Sequence, residues 1–499
     1  MQTENSGPKN AARTSMYRGW LGLLAILLML GASACDVLDV ELPDSVTDLA
    51  LDDPEAAPIL VNSAIGQVEC GYTAFTIDAA GYEDSFQATA AVGSAYADYS
   101  PQPGEGTCDT TDSESDWFDP LMIARSQGMD AYKRITDWST AQVPNREKLL
   151  ALSALYVAVS LDVFGEHFCD VVLDGGDIMT PAEALAEAES WVNTAMGHIS
   201  TTGDFEGIND ATTSVETMAY GLRARIRWAA GDLASAAADA AMVPDGFYAY
   251  ATREAGEKRR NKAYFYHTAV GYGLVNGPVN YWDGTDVNPA TGNPWPAVIP
   301  FTGYIDLAVA ADGRAVDASG YPITTATAGA VEDPRVPLTD GDQVAQGGAV
   351  GFFPMKWTDL ADDIPIINWK EMRLIEAEAN PAQAVAMVNA VRAADPSVPQ
   401  VTYGPAGDEI DDMIIEERRR ALWLEGRFWS TKIQNTDKLW FPRREGFDEY
   451  DHDLLGGVRL AFPDDEYQLN PNLHPVDRAS GCDGAWEDQK PDLGLGESV

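Results

Sequence analysis

Two blocks of helical periodicity, parted by a long stretch that has none, limit what this chain can become. Across residues 123–138 apolar side chains recur every three or four positions, and across 146–164 Leu150, Ala154, Val157, Leu161 and Phe164 fall along one stripe. That spacing belongs to helices with one face in a core. An earlier helix is read at residues 56–68, with Ile59, Leu60, Ala64 and Ile65 on one side. Another, at 181–199, opens with Pro181, with Thr180 at the N-cap and Glu183 in the first turn, which suits the free backbone N–H groups of a helix start. Residues 215–229 and 233–241 are alanine-rich helices separated by Gly231-Asp232. Small contact residues let such a pair pack closely, as in a tetratricopeptide hairpin, although no strict period of about 34 residues runs through the chain. Helices return at 367–379, 382–394 and 411–429.

Between the blocks, residues 247–365 are dominated by Gly, Pro, Asn, Thr and aromatic side chains, and residues 93–120 form a similar loop carrying Tyr96, Tyr99, Trp117 and Phe118. Loops this long are uncommon in compact domains and usually carry function. The expected fold class is mainly α: tetratricopeptide-like helical hairpins form a scaffold, covered by long loops and a few short strands.

The N-terminus bears on location. Residues 20–34 read WLGLLAILLMLGASA and stop at Cys35, with Lys9, Arg13 and Arg18 ahead and Asp36, Asp39 and Glu41 behind. This is the layout of a secretory signal peptide, too short to span a bilayer comfortably, which takes about 20 apolar residues. Ala32-Ser33-Ala34 before Cys35 looks like a bacterial lipobox, with Ala32 where leucine is usual. On this reading residues 1–34 are the signal peptide, Cys35 is the lipidated first residue and 35–55 are a tether. Ordinary cleavage after Ala34 would instead leave Cys35 as a thiol or in a disulfide. Stable anchoring takes two lipid signals, which a diacyl or triacyl cysteine supplies.

Seventy-eight acidic residues face thirty-three basic ones, a formal balance of −45. Such a surface repels phosphate backbones, so nucleic acid is not an expected partner. With Cys35 lipidated, Cys70, Cys108, Cys169 and Cys482 remain, an even number in an oxidising compartment. Four cysteines allow three connectivities. The favoured one is Cys70–Cys108, both in polar, turn-rich stretches of the N-terminal region, with Cys169–Cys482 tying the tail to the body. No CxxC or His-rich spacing points to a metal.

The segment at 369–379, WKEMRLIEAEA, resembles a helix of SusD/RagB-type lipoproteins, and MVNAVR at 387–392 is similar to the N-x-V-R helix that follows it in that family. Glu416-Glu417-Arg418-Arg419-Arg420 through Leu424-Glu425-Gly426-Arg427-Phe428-Trp429 resembles the family's E-R-R…E-G-x-R/F-W segment. Glu332-Asp333-Pro334-Arg335 and Asn470-Pro471-Asn472-Leu473 are similar too, all in the family's order. The chain departs from the pattern at Ala421, often glutamate there, at Ser430-Thr431-Lys432, and at the short Asn380-Pro381 turn. The resemblance implies that residues 56–499 are a helical binding domain, its ligand region at about 247–365. It further implies a lipid-anchored protein on the outer membrane, facing the cell exterior, that captures a nutrient, above all an oligosaccharide, for a TonB-dependent (SusC-like) transporter. The matching motifs are scaffold helices, so no binding residue carries over.

Binding residues must therefore come from chemistry. Sugar capture asks for exposed aromatic faces and planar polar side chains. Tyr281-Trp282-Asp283, with Asn276, Asn280, Asn288 and Asn293 near in sequence and Trp295 beyond, answers to that, and Trp117 could contribute from the earlier loop. The expected ligand-binding residues are Trp117, Tyr281, Trp282, Asn288 and Trp295; the alternative is that each aromatic packs beneath its own loop. No cofactor is expected, although residues 283–293 offer oxygen ligands of the kind calcium takes, without EF-hand spacing. HExxH, GxSxG and P-loop motifs are absent and the five histidines are scattered, so an enzyme is not the leading reading. Glu425 and Arg418 lie close to an apolar stripe and should be ion-paired if buried. A lipid-anchored glycoside hydrolase, needing an essential carboxylate pair, is the alternative, and a purely structural assembly partner is a third. Acyl-chain labelling checks the anchor: the wild-type chain incorporates label and Cys35→Ser does not.

Overall fold

Segments rich in Ala and Leu, the strongest helix formers, make up most of the fold in the computed structural model. It describes residues 51–82, 117–256, 259–265, 334–337, 343–344, 350–351, 354–398, 400–401, 404–435, 459–460 and 462–473, nearly all in the unit Pro54–Val499. The first helices are α1 (Ala57–Tyr82), α2 (Phe118–Asp137) and α3 (Arg146–His167). A small antiparallel pair, β1 (Val171–Val172) and β2 (Ile178–Met179), leads into α4 (Pro181–Thr202), α5 (Val215–Ala229) and α6 (Leu233–Ala240). Then come β3 (Tyr248–Ala251), the single turn α7 (Lys262–Phe265) and the antiparallel pair β4 (Gln343–Val344) and β5 (Val350–Gly351). The chain continues through β6 (Ile364–Asn368), α8 (Trp369–Ala379), α9 (Ala384–Arg392), α10 (Asp408–Ala421), α11 (Phe428–Gln434) and α12 (Asp464–Leu469). The protein is mainly helical, with a few short strands.

Successive helices pack on one another from α1 through α6, and α6 packs on α8, which in turn meets α9 and α10. Small residues set the distances. A Cβ on Gly128 of α2 would lie 2.6 Å from Val157 of α3, and one on Gly221 of α5 would lie 2.5 Å from Ile367 of β6; neither contact can form with a larger residue. At the head of α4, Thr180 Oγ1 accepts the Glu183 N–H (3.3 Å) while Glu183 accepts the Thr180 N–H (2.8 Å), a complete capping box. The α5–α6 hairpin has the expected boundaries at its turn. Gly231 takes φ +82°, Asp232 caps α6 through the Ser235 N–H, and buried Asp239 accepts from Arg223 and Arg227 of α5.

Four sequence expectations are corrected. Helix α1 runs past residue 68 to Tyr82, because its second half is buried almost all round and so has no polar face to give a period. The segment before Trp369 is the strand β6, not helix, and α9 is preceded by a 3-10 turn at Pro381–Gln383. The helix expected at 411–429 is two helices. The chain breaks between them, with Leu424 at φ +57° and Gly426 at φ +71°. A Cβ on Gly426 would come within 2.8 Å of the Phe75 ring, so glycine is required there twice over. Finally, Trp117 and Phe118 belong to the core rather than to an exposed loop: both are buried, and the Trp117 indole donates to Asp78 Oδ2 at 2.7 Å.

That break turns Arg427 into the centre of the molecule. Its guanidinium donates to both Glu166 oxygens of α3 (3.1 Å each) and to Glu371 Oε1 of α8 (2.9 Å). Arg225 of α5 meets Glu371 from the other side at 2.6 Å, donates to the Ile366 carbonyl of β6, and lies 3.8 Å from Asp162 of α3. Burial opposes ionisation of Glu371, but Arg225 and Arg427 outweigh it and hold its pKa at about 2. Asp162 goes the other way: burial and the neighbouring Glu166 carboxylate push it well above the usual range, beyond what Arg225 restores. Glu371→Ala leaves two buried guanidiniums without their shared carboxylate and is expected to cost roughly 3–5 kcal/mol, read by urea unfolding of the wild type and the variant.

His167, beside this network, packs against Phe75 and Trp429 at 4.9 and 4.3 Å between ring centroids. Its Nδ1–H donates to the Val163 carbonyl (2.9 Å), which leaves Nε2 to accept from the Ser430 hydroxyl (3.0 Å). Burial lowers its pKa to about 3. A folded-state pKa below the unfolded value means that acid favours the unfolded chain. The contribution is full above about 6.5 and is lost as pH falls toward about 3, at up to about 1.4 kcal/mol per pH unit. Urea titrations between about pH 6.5 and 4.5, above the range of ordinary carboxylates, should show this slope in the wild type and a flatter one in His167→Gln.

Candidate ligand-binding site

Alternation in a strand decides which side chains of β3 face outward. In Tyr248-Ala249-Tyr250-Ala251 the alanines are buried and the tyrosines half-buried. A bulge between Ala249 and Tyr250 interrupts the antiparallel register with β6, which pairs Tyr248 with Asn368 and Ala251 with Ile364. The two phenol rings stand nearly parallel, 13° apart with centroids at 5.5 Å. Burial, then the neighbouring Tyr248, Asp363 and Glu425, push Tyr250 up to about 12. Both phenols therefore stay neutral and keep a hydrogen to donate near pH 7.

Polar groups close in around the pair. Glu425 accepts from Lys356 Nζ at 2.7 Å and from the Asn368 amide at 2.9 Å. Lys356 also donates to the Trp423 carbonyl, and its ammonium lies 5.1 Å from the centre of the Trp357 ring. Lys370 is half-buried near Glu425 and Lys356, and burial lowers its pKa. The sequence expectation that Glu425 and Arg418 would be paired is met: Arg418 of α10 bonds Glu378 at 2.7 Å and lies over Trp228. With both Glu425 oxygens engaged, the geometry offers stacking surfaces and hydrogen-bond donors rather than a carboxyl poised to give up a proton. Among the described residues no three His, Cys, Asp or Glu side chains gather so as to hold a metal ion.

The position of this cluster ties it to the loop-rich part of the sequence. β3 and α7 are the last described elements before residues 266–333, and β6 with residues 354–363 are where the described chain resumes continuously. Tyr281, Trp282, Asn288 and Trp295 lie outside the described residues, as do Cys35 and residues 283–293. Trp117, buried and bonded to Asp78, presents no free face to a ligand. Cys70 and Cys169 are each disulfide-bonded; Cys108 and Cys482 lie outside the described residues, and the expected pairing with them. Sequence reasoning passed over Tyr248 and Tyr250 although a signal was present: YAYA alternates with the period of a strand.

No protein-family model matches the sequence, and no curated protein matches it. Solved structures do. NanU of B. fragilis superposes with a TM-score of 0.54 at 13% identity, over 86% of this chain and 98% of that one. Surface glycan-binding protein A from Bacteroides thetaiotaomicron, in complex with laminarihexaose, gives 0.51 at 11% identity, over 85% and 99%. A SusD/RagB family protein from Bacteroides thetaiotaomicron gives 0.50 at 12% identity, over 83% and 94%. The chain has the SusD-like fold. The resemblance first read at residues 369–379, 387–392 and 416–429 therefore lies where the SusD-like scaffold turns inward, in α8, α9, α10 and the break that carries Arg427. Most of those residues build the ion network, and Glu425 of the break also reaches the candidate site through Asn368. Glu417 of α10 shows the same use, with bonds to Arg392 of α9 at 2.8 Å and to Arg335.

Removing one ring tests how far the aromatic pair is a unit. Tyr248→Ala is expected to leave the helical fold intact by circular dichroism and to lower the titration midpoint of Tyr250, since burial and the neighbouring phenol both raise it; ultraviolet titration of the phenolates reads this.

Proposed function

We propose that this protein is a surface lipoprotein that binds an oligosaccharide and hands it to a TonB-dependent outer-membrane transporter. The observation that carries the binding half is the pair of half-buried, nearly parallel tyrosines on β3, with Asn368 paired across from Tyr248 and joined through Glu425 to Lys356. Apolar faces of a sugar ring pack on aromatic faces, while its hydroxyls take bonds from amide, ammonium and phenol groups. The SusD-like fold supports the reading, and one structure that shares it was solved with laminarihexaose. Export and anchoring rest on residues 20–34 and Cys35, and an outer-membrane site facing the exterior follows if that anchor is used. The transporter partner comes from the sequence resemblance. The protein acts by capture, not by turnover, and needs no cofactor for that.

Oligosaccharides of a neutral panel and of an acidic panel, titrated calorimetrically, test this. At least one is bound and recovered unchanged, and Tyr248→Ala or Tyr250→Ala weakens it about tenfold or more, about 1.4 kcal/mol. Hydrolysis of a panel member would instead favour the glycosidase alternative. Co-purification of the anchored protein with a large β-barrel checks the transporter partner, and its loss on deleting residues 35–55 would not affect glycan binding.

A further inference from the structure

The strand that presents the two tyrosines runs directly into a group of cations. Thr252 and Arg253 follow Ala251, and Arg259, Arg260 and Lys262 come within the next nine residues, in a chain whose formal charge is −45. Glu69 of α1 is the carboxylate at their centre. Its Oε1 accepts from the Thr252 N–H (3.1 Å) and hydroxyl (2.8 Å), and its Oε2 from Arg259 Nη2 (3.2 Å). Arg259 also donates to the Thr252 hydroxyl at 2.7 Å. Arg253 comes no closer to Glu69 than 4.0 Å, beyond hydrogen-bond range.

Two guanidiniums thus share one carboxylate, which bonds Arg259 through Nη2 and does not reach Arg253. Arg253 Nε and Nη1 have no hydrogen-bond partner, although the side chain is only 1% exposed, and buried charged donors left so are costly. The nearby acids do not supply the bonds. Asp363 Oδ1 is taken by the backbone N–H of Arg253 at 2.6 Å, and Glu254, 67% exposed, faces Arg259 at 3.5 Å. Burial lowers the pKa of Arg253 to about 10 in spite of Glu69 and Asp363, and raises that of Glu69 in spite of the two arginines. A guanidinium fork matches the paired oxygens of a carboxylate or sulfate. Arg259, 35% exposed, opens the cluster to solvent. Asp363 accepts from the Arg253 backbone N–H and its charge raises Tyr250, and Arg253 follows Tyr250 by three residues, so the cation cluster begins where the strand carrying the aromatic pair ends.

We propose that Arg253 and Arg259 form an anion-binding corner of the ligand site, so that a sugar held at Tyr248 and Tyr250 presents a carboxylate or sulfate group to the guanidiniums. The captured glycan is then an acidic one. This rests on the capture reading and narrows its substrate class.

Thermal melts of the whole protein at constant ionic strength, in sodium glucuronate, sodium sulfate or sodium chloride, test it. Glucuronate or sulfate raises Tm above chloride, and Arg259→Gln weakens the apparent affinity about tenfold. Arg253→Lys, which keeps the charge and loses the fork, weakens it too; because Arg253 is buried, the half-exposed Arg259 is the decisive variant. Because sulfate stabilises folds generally by exclusion, only a response that Arg259→Gln removes is assigned: to glucuronate alone, a carboxylate, and to sulfate alone, a sulfate ester. Equal melts in the three salts, or an unchanged response in Arg259→Gln, overturn the corner. The neutral oligosaccharide panel, run in parallel, separates the two readings. Neutral glycans bound equally by wild type and Arg259→Gln, with no anion response, overturn the corner and leave capture standing. Anion binding by a protein that holds no oligosaccharide, neutral or acidic, does the reverse.

Discussion

The Arg427–Glu371–Arg225 chain of ion pairs is what the rest of the fold is arranged around. It joins α3 through Glu166, α5 through Arg225, β6 through the Ile366 carbonyl and α8 through Glu371. Charges this deep are tolerated because each is held by an opposite partner and by further hydrogen bonds. The arrangement is directional, as apolar packing is not. Leucine and alanine could pack these helices in several registers, whereas two guanidinium forks and their carboxylates fit only one. The left-handed turn at Leu424 and Gly426 is the backbone cost of delivering Arg427 to that point.

The same network positions the candidate site. Asn368 caps α8 with one side of its amide and reaches Glu425 with the other, so the strand–helix junction that Arg225 and Glu371 fix also places the polar rim beside Tyr248. Glu425 lies two residues from Arg427, in the same break. Scaffold and candidate site are therefore coupled through a few residues, on a strand and a helix rather than on loops alone.

Much of the scaffold could be read from the sequence, and the reasons are visible residue by residue. The start of α4 was legible because Thr180, Pro181 and Glu183 state a helix start in local chemistry, and the α5–α6 hairpin because Gly231 and Asp232 state a turn. The second half of α1 was not, since a helix buried all round shows no amphipathic period. The break at 422–427 was hidden for a different reason. Residues 411–429 are a continuous run of good helix formers apart from Gly426, and only a distant ring, Phe75, and a distant carboxylate, Glu166, require the turn there. Of the candidate site, the choice of aromatic and planar polar side chains was sound chemistry, but Trp117 was assigned to a surface it does not occupy. Composition can mark a segment as loop-like without showing which of its rings the core claims.

By itself the sequence determined the helical class, the hairpin at Gly231-Asp232, the cap of α4, and a net charge that turns nucleic acid away, because these follow from local propensity and from summed charge. Tertiary structure decided the rest: that Trp117 is core, that Tyr248 and Tyr250 stand together, that Arg427 closes the ion network, and that Arg253 is buried with two nitrogens unpartnered. Those are relations between residues up to 261 positions apart, and no local rule relates such residues until burial removes water as the alternative partner for each polar group.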